Sequence, residues 1–148
     1  MQQREQVIQI RYHEGAFPPE RHGGWIDLAT PEDYKLTQGE FRILPLNVSM
    51  KLPDGYEAVM APRSSTFKNY GILMANSIGV IENDYCGDDD VWGFPAYATR
   101  TVIIPAGTRI CQFRIQRVMG PILFKAVAKL GDESRGGFGS SGKQVSVL

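Results

Sequence analysis

Short apolar runs separated by turn signals occur along most of this sequence, and no long stretch has the 3.6-residue period of an amphipathic helix. Proline and glycine in Pro53-Asp54-Gly55 and Pro105-Ala106-Gly107-Thr108 favour tight turns. Strands of this length, with turns about every 8–12 residues, are typical of a sandwich or barrel. The sequence therefore predicts an all-β fold with one short helix near residues 65–70; its strand-like runs are residues 7–12, 40–46, 48–52, 57–61, 92–97, 101–104 and 109–118.

Two of these runs carry more detailed predictions. Pro95 lacks a backbone N–H, so the run at 92–97 is expected to be an edge strand or a bulged strand. In the last run, alternation with period two places Ile110, Gln112 and Arg114 on one face and the residues between them on the other.

Length and charge limit the functions that the chain can perform. The 148 residues are enough for one domain with its own core, and 16 basic residues balance 16 acidic ones. Without a global positive field, long nucleic acid is not an expected partner, whereas a small anion can still bind a local arginine cluster. No apolar run approaches the roughly 20 residues that span a bilayer, and the N-terminus has no signal-peptide pattern.

The cysteines and histidines give no metal-type spacing. Cys86 and Cys111 are therefore predicted to be reduced thiols in a cytoplasmic protein. His13 and His22 are isolated in the sequence and are interpreted as solvated or turn residues.

Five segments contain residues suited to binding phosphate or a base. Asp27 lies within an apolar strand, where it either caps a turn or serves a site. Arg63 precedes Ser64 and Ser65, either of which is a candidate helix N-cap; free helix N–H groups and an arginine could hold a polyphosphate, and an ordinary capped helix is the alternative. Gln112 is either a surface residue or a phosphate contact.

The other two segments are a hairpin-like stretch and a glycine-rich tail. Residues 76–88 present an amide, two carboxylates and an aromatic ring, and a carboxylate there could deprotonate a water molecule. Residues 135–142 combine glycines, which let the backbone approach another group closely, with an arginine, a phenylalanine and two serines. A hairpin with polar turn residues and a disordered terminus are the alternative interpretations.

In this order, the five segments resemble the motifs of the trimeric dUTPases (dUTP diphosphatases). The resemblance spans almost the whole chain, and its residues are 25–29, 62–65, 79–85, 109–113 and 135–142. Residues 86–92 and 94–97 are most similar to the Gram-positive bacterial and phage branch. The resemblance implies a β-barrel or jelly-roll subunit at residues 1–130 and a C-terminal arm at 131–148. It also implies a homotrimer in which the arm closes over a site on another subunit.

The resemblance also implies the chemistry. Water attacks the α-phosphorus of dUTP, Mg²⁺ is held mainly by the triphosphate, and the products are dUMP and pyrophosphate. Asp27 orients waters around the metal, Glu82 acts as base, and Gln112 reaches the phosphates. The residues expected to bind substrate are Arg63, Ser64 and Ser65 for the phosphates; Asn76, Gly79, Val80 and Ile81 for uracil; Tyr85 beneath the deoxyribose; Asp84 and Trp92 beside them; and Arg135, Phe138, Gly139, Ser140 and Ser141 from the arm.

The sequence departs from the family pattern at two places. Aspartate is usual where this chain has Glu82, and the extra methylene moves the carboxylate by about 1 Å, a displacement that can cost roughly 10²-fold in rate. The tail has two residues fewer between Arg135 and the Gly-Phe-Gly step, so Arg135 is expected to meet a different phosphate oxygen or none. Trp92 and Phe94 either help to cover the base or belong to the core, and the core is favoured.

Two other functions stay open at this point. A dCTP deaminase relative would share the fold but needs a different arrangement of glutamate and arginine. A regulatory protein that binds dUTP and a repressor, as some phage relatives do, would tolerate a slow base at Glu82.

Overall fold

Twelve short strands and one five-residue helix make up the secondary structure of residues 4–139, the part of the chain that the computed structural model describes. The elements are β1 (Gln9–Tyr12), β2 (Glu20–His22), β3 (Trp25–Ala29), β4 (Tyr34–Leu36), β5 (Phe41–Pro45), β6 (Val48–Lys51), β7 (Tyr56–Pro62), α1 (Thr66–Tyr70), β8 (Ile72–Met74), β9 (Gly79–Ile81), β10 (Gly93–Ala98), β11 (Val102–Ile104) and β12 (Arg109–Arg117). This composition confirms the all-β prediction.

All strand pairings in this part of the chain are antiparallel. The largest sheet has the order β2-β3-β12-β7-β9, a second has the order β5-β10-β8, and β1-β6 and β11-β4 form two-stranded pairs. The strands enclose a single apolar cluster, within which Trp92 and Phe113 meet edge to face with ring centroids 5.0 Å apart. Trp92 and Phe94 are both buried, so their assignment to the core is confirmed.

The turn signals act as predicted. Gly55 has a φ of +80° and Gly107 a φ of +79°, values that side chains with a Cβ rarely adopt. Tyr56 N–H donates to Pro53 O at 3.1 Å, and Thr108 N–H donates to Pro105 O at 3.2 Å. These two turns lead directly into β7 and β12, two adjacent interior strands of the largest sheet.

The alternation in β12 is confirmed only from Cys111 onward. A register shift between Arg109 and Cys111 marks a β-bulge opposite β3. The bulge turns Ile110 into the core, so its predicted place on the same face as Gln112 is wrong.

The prediction that Pro95 marks an edge strand or a bulged strand is also wrong, because β10 has a neighbour on each side and its register with β5 is unbroken. β10 is the central strand of its sheet, paired with β5 through Gly93–Tyr97 and with β8 only from Ala96 onward. Because the ladder with β8 begins after Pro95, the missing N–H of the proline interrupts no pairing on that side.

The hairpin expected at residues 76–88 does not form, because β9 is the one strand within this range and its partner is β7. β8 pairs with β10, whereas β9 pairs with β7 in the other large sheet, so the chain changes sheets between these two strands. Ser77, with a φ of +64°, lies at this change of direction.

Helix α1 matches the predicted helix within one residue, and Ser65 stands at the predicted N-cap position, although its side chain makes no capping bond. The backbone dihedrals of Ser65 are helical. Thr66, in the first turn, makes the polar contacts here instead, through its hydroxyl.

After β12, residues 118–139 contain neither strand nor helix and are almost entirely exposed. No helix among residues 4–139 is long and apolar enough to cross a membrane.

Candidate active site

One face of the largest sheet carries the first set of predicted site residues. Asp27 on β3 pairs directly with Gln112 on β12, and Gln112 pairs with Ala61 on β7, so these three side chains share one face. Gln112 Nε2 donates to Pro62 O at 3.1 Å, which fixes its amide beside the start of the loop that carries Arg63. The fold thus brings three of the five sequence segments together.

Asp27 is the electrostatic centre of this set. Its side chain is only 3% exposed, and its Oδ2 lies 3.2 Å from Arg63 Nε and 3.5 Å from Arg109 Nη1. Two guanidinium groups offset the cost of burying the carboxylate. Oδ2 has no hydrogen bond of good geometry within the described chain, so it remains able to accept one from a ligand or a water molecule.

The same carboxylate affects a neighbour in the core. Burial, with a smaller contribution from the charge of Asp27, raises the pKa of the Cys111 thiol far above its ordinary value. Cys86 and Cys111 are both free, as predicted. Cys111 is therefore an inert packing residue beneath the site rather than a nucleophile.

Arg63 is positioned by contacts that the sequence did not reveal. Its backbone N–H donates to Thr66 Oγ1 at 3.1 Å, and that hydroxyl donates to Ile110 O at 2.7 Å. Its Nη1 donates to Arg109 O at 3.1 Å. Sequence reasoning gave neither Thr66 nor Arg109 a role in the site, although Arg109 begins one of the five segments. The contact of Arg109 with Asp27 arises only when β12 pairs with β3.

The serines of this segment differ in exposure. Ser64 is exposed and Ser65 is partly buried. Both adjoin Arg63 at the start of α1, where they remain candidates for contacting an anion.

The second set of predicted residues lines a different cavity, of about 440 Å³. The predicted residues that line it are Val80, Ile81, Glu82, Asp84, Tyr85 and Trp92, and the other lining residues are Ile43, Val91, Gly93 and Pro95. Glu82 and Tyr85 bracket a turn in which Tyr85 N–H donates to Glu82 O at 3.1 Å. Tyr85 Oη donates to Val91 O at 2.8 Å, which fixes the ring at the cavity wall.

The loop that carries Glu82 is held to the sheet by an asparagine that the sequence analysis did not single out. Asn83 Nδ2 donates to Pro53 O at 3.0 Å and to Tyr56 O at 2.8 Å. Pro53 lies in the turn before β7 and Tyr56 is the first residue of β7, so this amide links the loop to the start of an interior strand of the largest sheet.

Asn76 and Gly79 lie at the entrance to β9. Asn76 is exposed, and its carbonyl accepts from Ile78 N–H at 2.7 Å. A Cβ on Gly79 would lie 3.3 Å from Met60 Cβ, so glycine allows β9 to pack closely on β7.

Within one chain, the two sets do not form a single site. β3, which carries Asp27, and β9, which leads to Glu82, are separated by β12 and β7. The three strand spacings from β3 to β9 amount to about 14 Å. A catalytic base and a phosphate-binding group that serve the same phosphorus must lie within a few ångströms of it.

The described part of the tail contacts neither the residues around Asp27 nor the cavity that Glu82 and Tyr85 line. Arg135, Phe138 and Gly139 are exposed, and within the described residues the side chain of Arg135 bonds only to the adjacent Gly136 O. The predicted contacts of Ser140 and Ser141 lie outside the described residues.

Fold and site together define the class of protein. The sequence model of the dUTPase family matches residues 19–142, and the chain belongs to the dUTPase family. The jelly-roll fold that the resemblance implied is confirmed by its structural neighbours.

Its similarity to particular proteins is high. The chain is 52% identical over 120 residues to the SPbeta prophage-derived deoxyuridine 5'-triphosphate nucleotidohydrolase YosS of Bacillus subtilis (strain 168), across 81% of this chain and 84% of that protein. It is 36% identical over 123 residues to the deoxyuridine 5'-triphosphate nucleotidohydrolase of Streptomyces avermitilis, across 82% and 70% of the two chains.

Two solved structures of phage enzymes share the fold. A mutant dUTPase of Staphylococcus bacteriophage 80alpha, solved with dUpNHpp, superposes with a TM-score of 0.74 at 21% identity, covering 91% of this chain and 98% of its own. A mutant dUTPase from phage phi11 of S. aureus, described with a coordinated structural Mg(II) ion, gives 0.71 at 20% identity, covering 84% and 98%.

Proposed function

We propose that this protein hydrolyses dUTP to dUMP and pyrophosphate, which limits uracil incorporation into DNA and supplies dUMP for dTTP synthesis. Family membership and the names of its relatives support the reaction. The observation that carries the proposal is the cavity of about 440 Å³, which combines Glu82, Tyr85 and the β9 backbone in one wall. Such a cavity is large enough for a base and sugar. A cytoplasmic location stays a prediction.

The cavity accounts for recognition of the nucleoside. The backbone of Val80 and Ile81 in the cavity lining, together with Gly79 and Asn76 at the entrance to β9, offers the donors and acceptors that a uracil edge requires. The bond to Val91 O fixes the Tyr85 ring, and we assign this ring to packing against the deoxyribose and to exclusion of a 2′-hydroxyl. Asp84 and Trp92 complete the wall, with Trp92 acting from the core rather than as a covering lid.

Glu82 is the group that takes the proton from the attacking water. It is exposed at the cavity and is the first residue after β9, so the strand fixes its backbone while its longer side chain retains freedom. That freedom is the physical reason to expect slow turnover with normal binding.

The set around Asp27 binds the triphosphate. Arg63 with Ser64, Ser65 and Gln112 supplies donors for phosphate oxygens. Bound Mg²⁺ would neutralise phosphate charge and orient the triphosphate. Among residues 4–139 no group of three His, Cys, Asp or Glu side chains could hold a metal ion, so we assign the metal mainly to the triphosphate, with Asp27 Oδ2 accepting from its waters.

We further propose a homotrimer with shared sites, in which Glu82 of one subunit works with Asp27 of another. The separation of these residues within one chain supports this arrangement, as does the row of exposed apolar side chains after β12, which are Met119, Ile122, Leu123, Phe124 and Leu130. The segment 131–148 acts as an arm, with Arg135, Ser140 and Ser141 on the phosphates and Phe138 and Gly139 over the base.

Mixing two inactive variants tests the shared site. Asp27→Asn and Glu82→Gln chains, unfolded and refolded together in equal amounts, should regain about a quarter of wild-type activity through random assembly. Each variant refolded alone is the control. A mixture as inactive as its components would contradict a shared site.

A second candidate function is a dUTP-dependent regulator. Glu82 in the base position favours it, and a structural neighbour, the Staphylococcus bacteriophage 80alpha dUTPase, is described as controlling the transfer of virulence genes. In that case a repressor protein would be the partner, and dUTP would bind with little turnover.

Pyrophosphate release from dUTP with Mg²⁺, measured beside dCTP, dTTP and UTP, tests the proposed reaction. Fast release that is selective for dUTP supports the enzyme. Thermal stabilisation by dUTP without release favours the regulator, and ammonia release from dCTP would indicate a deaminase.

A further inference from the structure

An edge strand outside the family motifs contributes two polar side chains to the Asp27 face. β2 pairs with β3, with Glu20 opposite Asp27 and His22 opposite Trp25. Directly paired residues of an antiparallel sheet point to the same side. Glu20 and His22 therefore lie on the face that carries Asp27, and Arg21, between them, points to the opposite side.

Both side chains converge on Arg109. Arg109 Nη1 lies 3.4 Å from Glu20 Oε2, contacts His22 Nε2 directly, and lies 3.5 Å from Asp27 Oδ2. One terminal nitrogen of the guanidinium thus faces three acceptors, contributed by β2 and β3.

The chemistry of the contact determines the role of His22. A guanidinium has only donors, so in this contact the Nε2 atom of His22 is the acceptor. The carboxylates of Glu20 and Asp27 lie 3.7 and 3.8 Å from Nε2, beyond hydrogen-bond distance. His22 is therefore an acceptor for Arg109 and makes no hydrogen bond to either acid.

These contacts leave part of the guanidinium available to a ligand. Arg109 is 36% exposed and lines a cavity of about 390 Å³ together with Glu20 and Asp27. Its carbonyl also accepts from Arg63 Nη1, so the two arginines are linked. Without β2, Arg109 would keep only Asp27, which it shares with Arg63.

We propose that Glu20 and His22 are positioning residues that hold the Arg109 guanidinium as an additional phosphate ligand beside Arg63. The inference rests on the proposed function, because the phosphates are those of dUTP and pyrophosphate. It makes β2 part of the phosphate site, although its side chains reach the substrate only through Arg109.

Variants that remove or keep the acceptor test the proposal. His22→Ala removes it, His22→Gln keeps it, Glu20→Gln removes the charge, and Arg21→Gln is the matched control on the opposite side of the strand. His22→Ala and Glu20→Gln should raise KM for dUTP, and the Kd of pyrophosphate by calorimetry, about tenfold. The value of kcat should change less than about twofold, and deoxyuridine affinity should not change.

His22→Gln should recover most of the loss, which a purely structural role would not predict. The proposal would be overturned by any of three results. These are an unchanged pyrophosphate affinity in His22→Ala, an equal loss of pyrophosphate affinity in Arg21→Gln, and an equal loss of deoxyuridine affinity in His22→Ala. Pyrophosphate binding needs no turnover, so the calorimetry tests the positioning role even if the wild-type protein does not hydrolyse dUTP. A wild-type protein that binds pyrophosphate as predicted but does not hydrolyse dUTP would contradict the proposed function alone.

Discussion

Replacing Thr66 with valine removes a hydroxyl that links the start of α1 to β12. Thr66 is 2% exposed, and its Oγ1 donates to Ile110 O at 2.7 Å while accepting from Arg63 N–H at 3.1 Å. Valine has nearly the same shape, so packing is retained and only the two hydrogen bonds are lost.

The expected cost follows from the groups left without partners. An unsatisfied buried polar group costs about 1–3 kcal/mol, and Ile110 O lies at a fully buried residue. Arg63 is partly exposed, which reduces the cost of its N–H, so Thr66→Val should lose about 2–4 kcal/mol of unfolding free energy. For a chain of this length the change corresponds to a decrease in Tm of about 5–15 °C.

Urea and thermal unfolding at one fixed protein concentration measure the loss, since assembly makes Tm depend on concentration. Thr66→Ser is the matched control: it keeps the hydroxyl and should lose only about 1 kcal/mol for the missing methyl group. Because Thr66 also positions Arg63, KM for dUTP should rise in the valine variant and not in the serine variant. Equal stability of the valine variant and wild type, or equal losses in both variants, would refute the reasoning.

Four further predictions concern other parts of the molecule. Glu82→Asp should raise kcat by up to roughly 10²-fold with unchanged affinity for dUTP, and a rate assay showing no gain would rule out misplacement of the base. Asn83→Asp places a carboxylate against two carbonyl oxygens and should lower the unfolding free energy in urea by about 2–3 kcal/mol. Asn83→Ala should lower it by less, and the opposite order would contradict the contact. In the native protein at about pH 8, iodoacetamide should modify Cys86 and leave Cys111 intact, as mass spectrometry would show. Burial raises the pKa of Cys111 in the folded protein above the ordinary value of 9.0. The stabilisation that this thiol provides is therefore complete below pH 9.0, and the unfolding free energy should decrease by about 1.4 kcal/mol per pH unit above it. Cys111→Ala should remove this pH dependence.

The sequence by itself determined the fold class and most of the candidate site. Alternation with period two, turn residues and the lack of a helical period are local properties, and they were sufficient for an all-β chain with one short helix. The motif order identified the family, which the comparisons confirm. The roles of Asp27, Glu82 and the other site residues remain predictions until they are tested.

Only the tertiary structure decided which residues meet. Pro95 predicted an edge strand or a bulged strand, yet β10 is the central strand of its sheet. It tolerates the proline because its pairing with β8 begins one residue later, at Ala96. Thr66 and His22 gave no sequence signal, because their partners lie 44 and 87 residues away along the chain. The separation of Asp27 from Glu82 likewise depends on strand order, which local pattern does not specify. Sheet pairing sets the contacts between strands that are distant in the sequence, so only the tertiary structure shows that Thr66 and His22 hold the arginines of the site.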